Sequence, residues 1–342
     1  MPLDGMNPWT NRSLQRSLLP HVRLLSLVIY PRPSCIHPRL LNLPQWGEDQ
    51  KRVMSFLSPS SASKCAGSSV KKFSDVPQCQ KFFLEGTTPN LPGILYDGIV
   101  KNEGRYKPIC QKHKNTNRFA TLYDTTNKIP VFSAYTFTGY IPGRPDDLWM
   151  IEPQLDGVNS SEMRIQDGRR YEHQAEQKDY KYSQNKRVNR GHLFPSSHAH
   201  DLETQESTFT LTNIVPQDIT FNDGSWNEME RNVRGTLVKN CKDANDQIKA
   251  YVVTGAVPNN NNNKLNQRVN IPYLMWTAFC CENKKYKKNK KWMAGAYWGE
   301  NEGGKGALNQ QTLGALEEKL NKHYQGKDVP VKVFPGDCPR YT

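Results

Sequence analysis

Nowhere in its 342 residues does the sequence hold an unbroken apolar run of about 18 residues or more, so it offers no obvious membrane-spanning helix. None of its eight cysteines stands in a C-x-x-C spacing, which speaks against the usual zinc cages and dithiol redox sites. No internal repeat is present. Acidic residues are under-represented, 33 against 46 lysines and arginines, and the formal net charge is +13. A surplus of that size favours polyanionic partners through counterion release, nucleic acid foremost; a basic secreted protein with no specific polyanion is the blander reading of the same number.

What is present begins with the cysteines. Six follow residue 72: Cys79, Cys110, Cys241, Cys280, Cys281 and Cys338. An even set with an adjacent pair suits three disulfides, among fifteen possible connectivities, and an oxidising compartment. A secreted or secretory-lumen protein is therefore expected, with an intracellular one as the alternative. Glycosylation sequons at Asn11 and Asn159 agree with that. The stretch Leu24 to Tyr30, preceded by Arg12, Arg16 and Arg23, has the order of a signal peptide with a short apolar region.

Residues 1 to 71 are rich in Pro, Ser, Leu and Arg, lack periodicity and end in the serine-rich run Ser58 to Ser69. They read as a leader or linker without a fold of its own, and Met54 is an internal alternative start. From Phe73 onward the texture is that of a folded domain, 72 to 342. Ile129 to Phe137 and Ala250 to Thr254 read as strands, and Asp223 to Lys239 and Leu308 to Tyr324 as helices. The five asparagines Asn259 to Asn263 suit a surface loop. A mixed α/β domain follows.

Two nearby segments carry the chemistry: Asn189-Arg-Gly-His192, and Asn213-Ile-Val-Pro-Gln217 running on through Asn222, Trp226 and Glu230. Hydrolysis of a phosphodiester requires a base to activate water, a cation to neutralise phosphoryl charge, and a cationic clamp. His192 suits the base, because an imidazole near its ordinary pKa is partly neutral at working pH. Arg190, two residues away, falls on the same side of a strand and grips phosphate with its fork. Gly191 leaves room for a close approach of backbone or substrate. Asn222, just before a helix, either caps it or offers a carbonyl oxygen to a hard cation. Glu230, two turns on, is placed to orient the cation's waters.

The ordered set resembles the signature of the DNA/RNA non-specific endonucleases of the ββα-metal class. The surroundings are similar to vertebrate members of that family, through Cys79-Gln-Lys-Phe-Phe83, Ile109-Cys-Gln111, Val131-Phe-Ser-Ala-Tyr135, Glu152-Pro-Gln-Leu155, Thr208-Phe-Thr-Leu-Thr212 and Phe334-Pro-Gly-Asp-Cys338. The resemblance implies a mainly antiparallel central sheet flanked by helices, with a ββα catalytic motif. It assigns His192 as general base, Asn222 as the direct protein ligand of Mg²⁺ or a similar ion such as Mn²⁺, and Glu230 as the residue holding its waters. Arg190 becomes the phosphate-binding arginine, Asn213 a polar substrate-side support, and Arg144, in Gly143-Arg-Pro-Asp-Asp-Leu-Trp149, the candidate for a second, transition-state arginine. Sequence-indifferent cleavage of DNA or RNA to 5′-phosphate ends is implied.

One position departs from the family's D-R-G-H. Asn189 stands where aspartate is usual, and either keeps a hydrogen-bonding role or removes a charge that tunes His192. Three residues apart on a strand, the two are expected on opposite faces. A catalytically weak nucleic-acid-binding or immune-interaction protein on the same fold is the alternative function. His198 and His200 fall into an H-x5-H-x-H spacing without a ligand set to complete a zinc tetrahedron. Six lysines around Tyr286, from Lys284 to Lys291, read as a phosphate track or a solvated hairpin. Trp226, Tyr273, Trp276 and Phe279 are expected in the core.

Overall fold

The computed structural model describes residues 72–181, 187–261, 263–283, 292–304, 306–324 and 329–341. The leader with its apolar stretch, Met54, the sequon at Asn11 and the run Lys284 to Lys291 lie outside the described residues. Eight strands concern the site and its frame: β1 (Tyr106–His113), β2 (Thr116–Asp124), β3 (Ile129–Phe137), β4 (Val188–His192), β5 (Ile214–Asp218), β6 (Ala250–Val257), β7 (Leu274–Glu282) and β8 (Trp292–Glu300). The helices are α1 (Leu202–Ser207), α2 (Asn227–Asn240) and α3 (Leu313–Asn321).

Six strands make one sheet in the order β8-β7-β6-β3-β2-β1, antiparallel at every pairing. The remaining two, β4 and β5, form a separate antiparallel ribbon. The fold is thus α+β with a mainly antiparallel central sheet, as the resemblance implies.

Both faces of the sheet are buried, because its strands are apolar at odd and even positions alike. In β6, Ala250, Val252 and Ala256 enter one core, while Val253 and Val257 enter the other. The first core is closed by α2, whose Met229, Val233 and Leu237 recur every four residues on one face. The second is closed by α3 through Leu313, Leu316 and Leu320. Where β6 crosses β7 the sheet needs a glycine, since a Cβ on Gly255 would lie 2.3 Å from the Trp276 ring.

Both expected helices depart from regular α-helix at their starts. Residues Asn222–Trp226 form a π-turn kinked at Gly224, and the regular helix starts only at Asn227. Leu308 to Gln310 are not helical, and Gln311 forms a β-bridge, exchanging backbone hydrogen bonds with Ala296 at 2.8 and 3.0 Å. Thr312 then caps α3 by accepting from the Ala315 amide. Trp226, Trp276 and Phe279 are buried in the core as expected, whereas Tyr273 is half-buried just before β7.

The six cysteines pair as Cys79–Cys110, Cys241–Cys281 and Cys280–Cys338. Adjacent cysteines on β7 point to opposite faces of the sheet. Cys281 is therefore bridged to the end of α2 in the first core, and Cys280 to the C-terminal segment in the second. No helix among the described residues is long and apolar enough to cross a membrane.

Candidate active site

The ribbon β4–β5 runs directly into the helical segment through Asp218, whose carboxylate accepts from the Thr220 and Phe221 amides and so starts the short helix Ile219–Phe221. The π-turn and α2 follow without a break. Two strands and a helix in this order place the end of β4 beside the first turns of the helical segment. A polar cleft of about 430 Å³ lies there, lined among others by Arg144, Trp149, Asn189, Arg190, His192, Asn222, Asp223 and Glu230. Extra residues wound into a helix, as in this π-turn, are a recurrent feature of functional sites.

His192 ends β4. Its ring lies 5.5 Å from the Trp149 ring and 5.0 Å from that of Phe209, and its Nε2 is buried with no hydrogen-bond partner among the described residues. Burial, with a smaller contribution from the Arg144 charge, pushes its pKa down to about 3. The imidazole is therefore neutral across the physiological range, more completely than an ordinary histidine.

Arg190 and His192 do lie on one side, with Trp149 between them. The Arg190 guanidinium sits 5.0 Å from the Trp149 ring centre and 5.4 Å from that of Tyr180. Among the described residues no carboxylate pairs with it, so ring faces hold the cation and leave its donors for an anion. Desolvation lowers its pKa from the ordinary value. Arg144, nearly fifty residues upstream, reaches the same cleft. Its guanidinium lies 4.7 Å from the Phe209 ring centre and bonds Asp147 at 3.0 Å.

Glu230 faces the cleft from α2, and burial raises its pKa to about 8, the neighbouring Trp226 and Arg234 drawing it back only in part. A carboxyl so disfavoured as an anion is the kind of group a nearby cation stabilises. Asn222 donates from Nδ2 to Asn189 Oδ1 at 2.8 Å, while its own Oδ1 accepts no hydrogen bond among the described residues. Its carbonyl oxygen, the Asp223 carboxylate and Glu230 line one cleft, and oxygens of these kinds are the donors that hard cations such as Mg²⁺ or Mn²⁺ prefer.

Three sequence expectations are corrected here. Asn189 does not face away from His192: both line the cleft, because a two-stranded ribbon twists strongly and strand alternation does not hold over three residues at its end. Gly191 makes room for a protein side chain rather than for substrate. A Cβ there would stand 2.0 Å from Gln217 Oε1 and 2.6 Å from Gln217 Cβ.

Asn213 is not a substrate-binding residue. It is fully buried, accepts from Ser133 Oγ and the Phe194 amide, and donates to the Phe194 and Thr208 carbonyls. With every amide valence filled, it fixes the chain leaving β4. His198 and His200, the other two histidines of the H-x5-H-x-H spacing, have protein partners. His198 Nε2 donates to the Glu230 carbonyl at 2.9 Å and Nδ1 accepts from Tyr135 at 2.8 Å, while His200 pairs with Asp201.

Sequence reasoning missed Trp149 and Asp223 as cleft residues. The first is the last residue of the segment already singled out for Arg144; the second stands beside Asn222 and reads locally as the start of a helix.

A family model described as DNA/RNA non-specific endonuclease matches residues 100–333. The chain is 34% identical to the human endonuclease domain-containing 1 protein over 212 residues, which cover 60% of this chain and 39% of that protein. To the mouse protein of the same name it is 29% identical over 215 residues, 60% of this chain and 38% of that one. It thus spans less than half the length of these relatives. Among solved structures it matches a chain in the crystal structure of the EndoG/EndoGI complex with a TM-score of 0.44 and 17% identity, over 62% of this chain and 84% of that one.

Proposed function

The chain belongs to the DNA/RNA non-specific endonuclease family, and from that premise we propose that it is a metal-dependent endonuclease that hydrolyses DNA or RNA without regard to sequence. The observation that supports this best is the meeting of His192, Arg190, Arg144, Asn222 and Glu230 in one cleft. They come from four places along the chain, and no folding requirement alone brings three cationic or basic groups together without an ion pair for Arg190.

In this reading His192 takes the proton of the attacking water. Its Nε2 is buried, and this reading gives the step to Nδ1. The depressed pKa keeps the ring neutral, with one nitrogen unprotonated, before substrate arrives, and a phosphate bound in the same cleft raises it toward a useful basicity. Arg190 and Arg144 bind the non-bridging phosphoryl oxygens and balance charge as it builds. A divalent cation supplies Lewis-acid neutralisation of the phosphoryl and leaving oxygens when bound. Asn222 would hold it through its carbonyl oxygen, and Glu230 would orient its waters. As the water oxygen bonds to phosphorus, the P–O3′ bond breaks and the products carry 3′-hydroxyl and 5′-phosphate ends. Contacts to phosphate in place of base edges account for indifference to sequence.

Plasmid and RNA incubated with the oxidised protein in Mg²⁺ are expected to be cut, and the cutting is expected to stop with chelator. His192→Ala should lower the rate by about 10²–10⁴-fold. Salt-dependent binding with no turnover, unchanged in His192→Ala, would favour the non-catalytic reading of the fold. The three disulfides support a secreted or lumenal protein.

A further inference from the structure

We propose that Asp223 is the anionic residue of the cation site: next to Asn222 and Asn189, the negative charge stands on the helical turn and not on the strand. The inference rests on the metal-dependent reading above and adds a residue to it.

Three side chains form a closed triangle at the mouth of the cleft. Asn222 Nδ2 donates to Asn189 Oδ1 at 2.8 Å and lies 3.4 Å from Asp223 Oδ1; Asn189 Nδ2 lies 3.5 Å from that same carboxylate oxygen. All three line the cleft that holds His192. Each amide nitrogen is thereby turned toward an acceptor inside the triangle, and the Asn222 carbonyl oxygen accepts no hydrogen bond among the described residues. An amide otherwise flips at little cost; here a carboxylate and a second amide choose its orientation.

Charge explains why Asn189 belongs in this arrangement. An aspartate at 189 would set two carboxylates about as far apart as the present 3.5 Å contact, like charges facing each other in a site half shielded from water. Asparagine at 189 both accepts from Asn222 and donates toward Asp223, which a carboxylate cannot do. The cleft also carries Arg144 and Arg190, with Asp147 occupied by Arg144. The π-turn positions Asp223: with the helix kinked at Gly224, Asn222 and Asp223 lie in the irregular turn ahead of α2 and both reach the cleft.

Isothermal titration with Mn²⁺, on the oxidised full-length protein without nucleic acid, tests this. Asp223→Asn should weaken Mn²⁺ binding by about 10–100-fold, and the exchanged variant Asn189→Asp/Asp223→Asn should regain most of the loss. Asn189→Asp alone should lower the metal-free Tm, and Mn²⁺ should restore it. Asp223 is exposed, so its replacement leaves the fold intact, which the Tm of that variant verifies. If Asp223→Asn binds Mn²⁺ as tightly as the parent while Asn222→Ala does not, the role given to Asp223 is wrong and the cation site stands. If the parent itself binds no Mn²⁺, the metal-dependent reading fails with it.

Discussion

His192 owes its state to what covers it rather than to Asn189. Burial between Trp149 and Phe209 sets its low pKa, with Arg144 adding to the shift, while neutral Asn189 is engaged with Asn222. Beside it, Gly191 is fixed by sterics. Because the first obstacles to a Cβ include the stiff stem of Gln217 as well as its flexible end, Gly191→Ala forces the ribbon apart. A loss of about 1–3 kcal/mol in urea unfolding is expected, with cleavage falling alongside; an unchanged midpoint would show that β4 and β5 tolerate the separation.

The element that aligns the cleft is the junction between β3, the chain after β4 and the first turns of α2. His198 holds all three: it leaves the β4 exit, accepts from Tyr135 of β3 and donates to the carbonyl of Glu230. Both bonds are satisfied by the neutral ring, and burial lowers its pKa to about 4. The folded state thus resists a proton that the unfolded chain takes near pH 6.5. More protons are bound unfolded than folded between those values, so stability is full above pH 6.5 and falls as the pH drops toward 4. The loss attributable to His198 is on the order of 3 kcal/mol. His198→Gln should unfold more easily at pH 7 yet lose less than the parent between pH 6.5 and 4.5 in urea titrations. Equal slopes in the two proteins would place the pH dependence elsewhere, His192 being the next buried imidazole.

Across the whole molecule, the central sheet is tied by covalent bonds on both faces at one strand. The Cys280–Cys338 bridge closes 58 residues and fastens the C-terminal segment over α3; Cys241–Cys281 closes 40 and fastens the end of the helix that carries Glu230. Replacing Cys280 and Cys338 by serine should cost about 2–5 kcal/mol in denaturant unfolding, and mild reductant should reproduce that loss in the parent. Retained stability under full reduction would overturn the structural role of these bonds. Phe73, Cys79 and Cys338 share a core with Leu316, so we propose a domain running from 72 to 342, wider than the stretch matched by the family model.

The sequence by itself determined the strands β3 and β6, the presence of helices near 223 and 308, and the order of His192, Asn222 and Glu230. These depend on local rules, alternation in strands, a 3.6-residue period in helices, and motif spacing within some forty residues. The tertiary structure alone decided four matters. It selected the cysteine pairing, since only the sheet shows that Cys280 and Cys281 point to opposite faces. It turned Asn213 inward, because Ser133, Phe194 and Thr208 surround it from three parts of the chain. It brought Trp149 and Arg144 to His192 across more than forty residues. Finally, it set Asp223 against Asn189 by inserting a π-turn where apolar periodicity reads as regular helix. Each of these is a contact between segments distant in the chain or a local geometry imposed by packing, which no window along the sequence contains.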